Sequence, residues 1–193
     1  MNHMTPARTV DDLIEQTSSG FRRKFLFFWG HTPTKDGTAS KACFSQWWEA
    51  PFEIDGTIYP TAEHYMMAAK ARLFGDEVSA AKIVGCGSPK QAKAFGRGVA
   101  GFDDETWTRQ RFKIVVAANL AKFSQNPPLR EFLLQTGNRV LVEASPVDRI
   151  WGIGLAGDDA RADKPHEWRG LNLLGFALME VRETLSGSQI ARS

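Results

Sequence analysis

The chain has 193 residues, 42% hydrophobic and 24% charged, enough apolar material to bury one sizeable core without a second module. Its formal net charge of +2 and pI near 8.6 are only mildly basic, and it lacks the basic stripe of a dedicated DNA binder. Cys43 and Cys86 stand apart from any zinc-ligand spacing and suit a reduced, cytoplasmic setting. Met1 to Gln16 lacks the apolar run of a secretory leader, and no segment approaches the roughly 20 apolar residues of a membrane helix, so a soluble protein is expected.

Residues 1–23 read as a lead-in, with Thr9 capping a short helix over Val10 to Gln16 and Gly20 ending it. Lys24 to Gly30 (KFLFFWG) is too short and too aromatic for a helix and predicts a buried strand. A polar loop with Pro33 and Gly37 follows, and Cys43 to Trp48 predicts another strand. Asp55-Gly56, between Phe52–Ile54 and Thr57–Tyr59, is the strongest hairpin signal.

From Ala62 the pattern turns helical, with Tyr65, Met66, Ala69 and Leu73 on one stripe. A short helix over 76–84 closes at Gly85. Ser88-Pro89-Lys90-Gln91 then forms a capping box with proline at the first helical position, and Gly96 and Gly98 end that helix. Asp103 or Asp104 caps a long helix to about Phe123, whose apolar face (Trp107, Ile114, Ala118, Ala121) is shared by Arg111. Asn126-Pro127 opens another helix, which Gly137 stops. Arg139 to Ala144 predicts a strand, Gly170 to Leu185 a final amphipathic helix, and 186–193 a flexible tail. The expected class is α+β: a predominantly helical single domain over 24–185 with a small antiparallel β-sheet.

Signatures of dinucleotide folds, phosphate loops, serine hydrolases and zinc proteases are missing. His3, His31, His64 and His166 are scattered and assemble no metal site. Gly85-Cys86-Gly87-Ser88 lacks the lysine and spacing of a phosphate loop and reads as a turn between helices. More informative is Tyr59-Pro60-Thr61-Ala62-Glu63-His64-Tyr65. Lys70 follows Glu63 by almost two helical turns, so the two share a face with Met66 and Met67 between them. A carboxylate and an ammonium facing one cleft suit a substrate with both a reacting centre and a phosphate. Helix capping accounts for the same residues: Thr61 is a good N-cap, and a first-turn glutamate gains about 0.3–1 kcal/mol from the helix dipole.

A second patch, Val142 to Gly154, sets Glu143, Asp148, Arg149 and Trp151 in a Pro/Gly-punctuated loop after an apolar strand. Glu63, Glu143 and Asp148 are the catalytic candidates, because glycosidic cleavage passes through an oxocarbenium-like state that a carboxylate stabilises while it or a partner activates water. Trp151 could stack on a flat leaving base. Asp148 suits equally a turn in which it bonds its own backbone. Lys70, Arg97 and Lys122 lie on apolar helical stretches where such cations commonly snorkel to solvent. Lys70 is the one expected to line the cleft and hold a ribose 5-phosphate or pyrophosphate, its face being fixed relative to Glu63.

Together Tyr59–Tyr65, Ser88-Pro-Lys-Gln-Ala-Lys with Phe95-Gly96-Arg97, Ala121-Lys122-Phe123, Leu133–Gly137, Val142-Glu-Ala-Ser with Asp148 and Trp151-Gly-Ile-Gly, and Gly170-Leu-Asn-Leu-Leu-Gly resemble the NADAR family, the YbiA-like N-glycosidases, in order over about residues 24–185. The resemblance implies hydrolysis of an N-glycosidic bond to ribose without metal or redox cofactor. It implies Glu63 as catalytic carboxylate, with Asp148, Trp151, Gly152, Lys70, Trp107 and Asn172 in the pocket. Two activities go with such proteins: release of ADP-ribose from modified guanine in DNA, and removal of the base from phosphorylated early riboflavin-pathway intermediates.

The chain departs from the commonest family pattern at Ser45-Gln46-Trp47-Trp48, at Met67 where glutamine is frequent, and at Ala71 where phenylalanine is. These differences bear on the leaving base more than on the reaction. The expectation is therefore a cytoplasmic N-glycosidase acting on an ADP-ribose- or ribose-5-phosphate-containing substrate. ADP-ribosylated guanine in DNA is preferred, with functional pairing to an ADP-ribosyltransferase toxin and no membrane partner. The riboflavin intermediate is the alternative, and a non-catalytic module binding ADP-ribose or another NAD-derived ligand is the rival class.

Overall fold

A computed structural model describes residues 6–190; residues 1–5 and 191–193, parts of the expected lead-in and tail, lie outside the described residues. The elements are α1 (Val10–Ser18), β1 (Phe25–Phe28), β2 (Phe52–Ile54), β3 (Thr57–Tyr59), α2 (Ala62–Leu73), α3 (Glu77–Gly85), α4 (Pro89–Arg97), α5 (Asp104–Gln125), α6 (Pro127–Leu134), β4 (Val140–Glu143) and α7 (Leu173–Ile190). This is the expected helix-rich α+β class. The hairpin β2–β3 turns at Asp55-Gly56, both at positive φ (50° and 75°), as a tight primed turn requires.

The other strand pair is parallel. β1 runs beside β4 in the register Phe25↔Val140 to Phe28↔Glu143, so the antiparallel sheet is confined to the hairpin. All but the last residue of β4 is buried, in keeping with a parallel strand covered on both faces. α7 covers β4 and packs on α5. α5 in turn meets α2, which carries α3 and α4 on its other flank. At the α2–α4 crossing a Cβ on Gly96 would fall within the Met67 side chain, so glycine lets the helices close up.

Three local expectations are corrected. Cys43–Trp48 is not a strand: Lys41–Phe44 forms a 3₁₀ turn capped by Ser40, and the Ser45 hydroxyl accepts from the Trp47 N–H at 3.1 Å. The two serines offer the backbone local partners that compete with a ladder. On α5 the expected Trp107 and Ala118 are buried, but Val115, Asn119, Lys122 and Phe123 complete that face, while Ile114 and Ala121 are only half-buried. Its polar members find partners in the Ser45–Gln46 segment, which an apolar pattern cannot reveal.

Finally, Gly170–Asn172 is loop, and α7 continues through Ile190, past the expected end at Leu185. Its first N–H groups donate to the preceding loop instead of to water: Leu173 N to Ile150 O at 3.2 Å and Leu174 N to Trp151 O at 3.1 Å. The lead-in also belongs to the body, since Leu13 of α1 is fully buried and Arg8 pairs with Glu180 and Glu183 of α7.

Candidate active site

α2 begins where the hairpin delivers the chain. The Thr61 hydroxyl accepts from the His64 N–H, and the Glu63 N–H donates to the Gln46 carbonyl at 2.9 Å. Glu63 is thereby placed in the first helical turn and only 3% exposed, with Oε1 buried and without a hydrogen-bond partner. It lines a cavity of about 680 Å³ together with Met66, Met67 and Lys70, so the expected shared helix face exists. His64 points elsewhere and is structural: its Nδ1 pairs with the Thr61 hydroxyl at 2.8 Å and its Nε2 with the Cys86 carbonyl at 3.2 Å.

The opposing residues come from β4 and the loop behind it. Glu143 ends β4 and lines the cavity, with Oε2 buried and unpartnered. Asp148 also lines it, while its Oδ1 accepts from the Ile150 and Trp151 N–H groups at 2.8 and 2.7 Å. Asp148 is thus the turn residue that the sequence offered as one reading, placed at the cavity wall. Trp107 and Trp151 line the cavity as well.

Two expected pocket residues do not line it. Asn172 is buried behind the strand, its Oδ1 accepting from Glu143 N at 2.9 Å and its Nδ2 donating to Leu141 O at 2.9 Å, which pins the end of β4. Gly152 is a packing glycine, since a Cβ there would lie 2.8 Å from the Glu143 carbonyl. Each touches the Glu143 backbone.

Further residues line the cavity: Lys93, which the sequence did not single out, Arg97, which it weighed behind Lys70, and the Ser45–Trp47 stretch where the chain departs from the family pattern. α4 presents Lys93, Gly96 and Arg97 on one face, and the turn after Phe44 supplies Gln46 and Trp47. Lys93 Nζ lies 5.8 Å from the Trp47 ring centre. The buried Gln46 Nε2 has no partner, whereas its Oε1 accepts from Asn119 at 2.8 Å. Lysine and arginine four apart on one helix were visible in the sequence, but their facing Glu63 was not. Lys70 is more constrained: Nζ donates to the Gly96 carbonyl at 2.8 Å and sits 4.2 Å from the Phe102 ring centre and 5.6 Å from that of Trp107. Burial lowers its pKa. Lys122, expected to snorkel, is fully buried, with Nζ donating to the Cys43 and Ser45 carbonyls at 2.7 and 2.9 Å. It clamps the turn that carries Gln46 and Trp47.

Burial sets the electrostatics. It pushes the Glu63 carboxyl up to about 7; Lys93, a hydrogen bond from Trp47 and Arg97 pull back, and the Asp148 charge adds to the rise. Glu143 rises to about 8, again chiefly by burial, helped by Asp148 and Glu63 and opposed by Lys93. The cavity thus holds proton-binding carboxyls at neutral pH beside fixed cations and indoles, a set suited to acid–base chemistry on an anionic, partly flat molecule. Among the described residues, no group of three or more His, Cys, Asp and Glu side chains is arranged to hold a metal ion.

The NADAR domain profile matches residues 27–186, which include every residue of this cavity. The chain belongs to the NADAR family. It is 44% identical to N-glycosidase R617 of Acanthamoeba polyphaga mimivirus over 165 residues, 83% of this chain and 95% of that one. It is 34% identical to N-glycosidase YbiA of Escherichia coli over 153 residues, 79% of this chain and 85% of YbiA. The NMR structure of E. coli YbiA superposes with a TM-score of 0.70 at 29% identity, covering 88% of this chain and 89% of that structure. This NADAR fold therefore extends beyond the cavity to nearly the whole molecule. No helix among its described residues is long and apolar enough to cross a membrane.

Proposed function

We propose that the protein hydrolyses the N-glycosidic bond between a ribose and a nitrogenous base, with ADP-ribosylated guanine in DNA as its substrate. The observation that carries this reading is Glu63, a carboxyl buried at the cavity wall that takes one hydrogen bond from Trp47 and keeps Oε1 buried without a partner. The names of the relatives R617 and YbiA agree with the reaction class. As a carboxylate, Glu63 takes a proton from the water that attacks C1′ and faces the positive charge developing on the sugar. Trp151 stacks on the base, and Asp148 keeps Oδ2 for a ribose hydroxyl. Lys93 and Arg97 join Lys70 in holding the phosphates.

The choice of substrate is supported by the mouth of the cavity. Trp29 is 60% and Val147 85% exposed there, so a bulky group attached to the base can remain outside. Such a reaction reverses ADP-ribosylation and would be paired with a transferase that installs it. Incubating the purified protein with an ADP-ribosylated DNA oligonucleotide, and separately with the phosphorylated ribosylaminopyrimidine, tests the proposal. Release of ADP-ribose from the first supports it. Turnover of the second alone transfers the function to the riboflavin-type intermediate, and binding without turnover of either makes the protein a ligand-binding module.

A further inference from the structure

We infer that Glu143 is the proton donor of the reaction, the carboxylic acid that protonates the departing base while Glu63 receives the proton of the attacking water. This rests on the N-glycosidase reading and assigns the second half of the proton traffic. A nitrogenous base leaves poorly as an anion, so a hydrolase that aids only the incoming water leaves half of the barrier untouched.

Glu143 meets the requirements for a donor. It projects from β4, a different element from the one that bears Glu63, yet both line one cavity. Its backbone is held at both ends, the N–H by Asn172 Oδ1 at 2.9 Å and the carbonyl by Ile153 N at 2.9 Å, so the side chain starts from a fixed point. Oε2 is buried without a partner, the condition of a group kept free for a ligand. The ionisable groups around the cavity are Glu63 and Lys70 of α2, Lys93 and Arg97 of α4, Asp148, and His31. Glu63 and Asp148 oppose ionisation of Glu143, and Lys93 alone among the groups acting on it favours it. Burial together with the Glu63 and Asp148 charges thus holds Glu143 in the protonated form that a donor requires.

The balance closes. The C1′–N bond breaks with its electron pair going to the base, and that nitrogen takes the Glu143 proton. Water oxygen bonds to C1′, and its proton goes to Glu63. The pair ends with the same number of protons it began with, and one transfer from Glu63 to Glu143 through solvent resets the site.

The test uses full-length protein with ¹³C-labelled glutamate carboxyls, titrated from pH 5 to 9, alongside turnover of the ADP-ribosylated oligonucleotide by the parent, Glu143→Gln and Glu63→Gln. The resonance missing in Glu143→Gln is expected to titrate well above the ordinary glutamate range. Glu143→Gln should lower kcat by about 10²- to 10³-fold with KM little changed and remove the alkaline limb of the pH profile, while Glu63→Gln removes the acidic limb. A Glu143 carboxyl titrating in the ordinary range, or an alkaline limb surviving in Glu143→Gln, overturns the assignment and leaves the N-glycosidase reading standing. Absence of turnover of either substrate by the parent overturns both.

Discussion

Two sets of buried polar side chains flank the cavity, and they differ in one respect. Behind it, Lys122, Asn172 and His64 are fully engaged: an ammonium on two carbonyls, an amide bridging β4, an imidazole bonded at both nitrogens. Facing the cavity, Glu63, Glu143 and Gln46 each keep a buried atom without a partner, as does Asn119 directly behind Gln46. Satisfied polar groups hold the architecture together. Unsatisfied ones cost stability and persist where a ligand completes them.

The sharpest break of that contrast is Glu63→Gln, which keeps the shape and removes the base. kcat should fall about 10³-fold, measured on whichever N-glycoside the parent turns over. Next, Lys122→Ala strips the buried Cys43 carbonyl of its partner, leaves the Ser45 carbonyl only the Trp48 N–H, and opens a void beneath Gln46 and Trp47. A loss of about 2–4 kcal/mol in a denaturant titration is expected, with activity lost only as the turn shifts.

The third test reads the carboxyls through stability. A glutamate whose pKa is raised on folding binds more protons in the native state between its ordinary value and its raised one, so its stabilising contribution is complete below about pH 4.5 and is lost as pH rises through about 7 to 8. The parent should therefore lose stability from pH 5 to 8, by about 1.4 kcal/mol per pH unit for each such group. Glu63→Gln should flatten that slope and be more stable than the parent at pH 8.5. A parent whose stability is level across this range would place the carboxyls in a wetter site.

Smaller effects separate the ligand contacts. Trp151→Ala is expected to raise KM about tenfold through lost stacking. Lys93→Met should raise it severalfold, and more so at low salt, if the α4 cations carry the phosphates. A larger effect from Lys70→Met than from Lys93→Met would return that role to α2.

Much of the fold was legible because its signals are local. Asp55-Gly56, the caps at Thr9, Thr61, Ser88 and Asp103, and the proline at Pro89 each act within a few residues and lie where the structure uses them. Where a distant partner decides, the reading failed. The turn at Cys43–Trp48 has local serine partners and is also clamped by the distant Lys122, and the buried face of α5 is set by what the same turn offers Asn119 and Lys122. Asn172 illustrates the limit at the site: the motif pointed to it, but only its bonds to Glu143 and Leu141 show that it supports the pocket from behind.

What the sequence alone determined is most of the helices, the β2–β3 hairpin and the shared face of Glu63 and Lys70, since helical periodicity and capping depend on neighbours along the chain. Tertiary structure decided the parallel pairing of β1 with β4, the approach of α4 to α2 at Gly96, and the enclosure of Glu63 and Glu143 in one cavity. Those outcomes depend on burial and on charges from separate segments meeting in a medium of low dielectric, and neither is a property of any single stretch of chain.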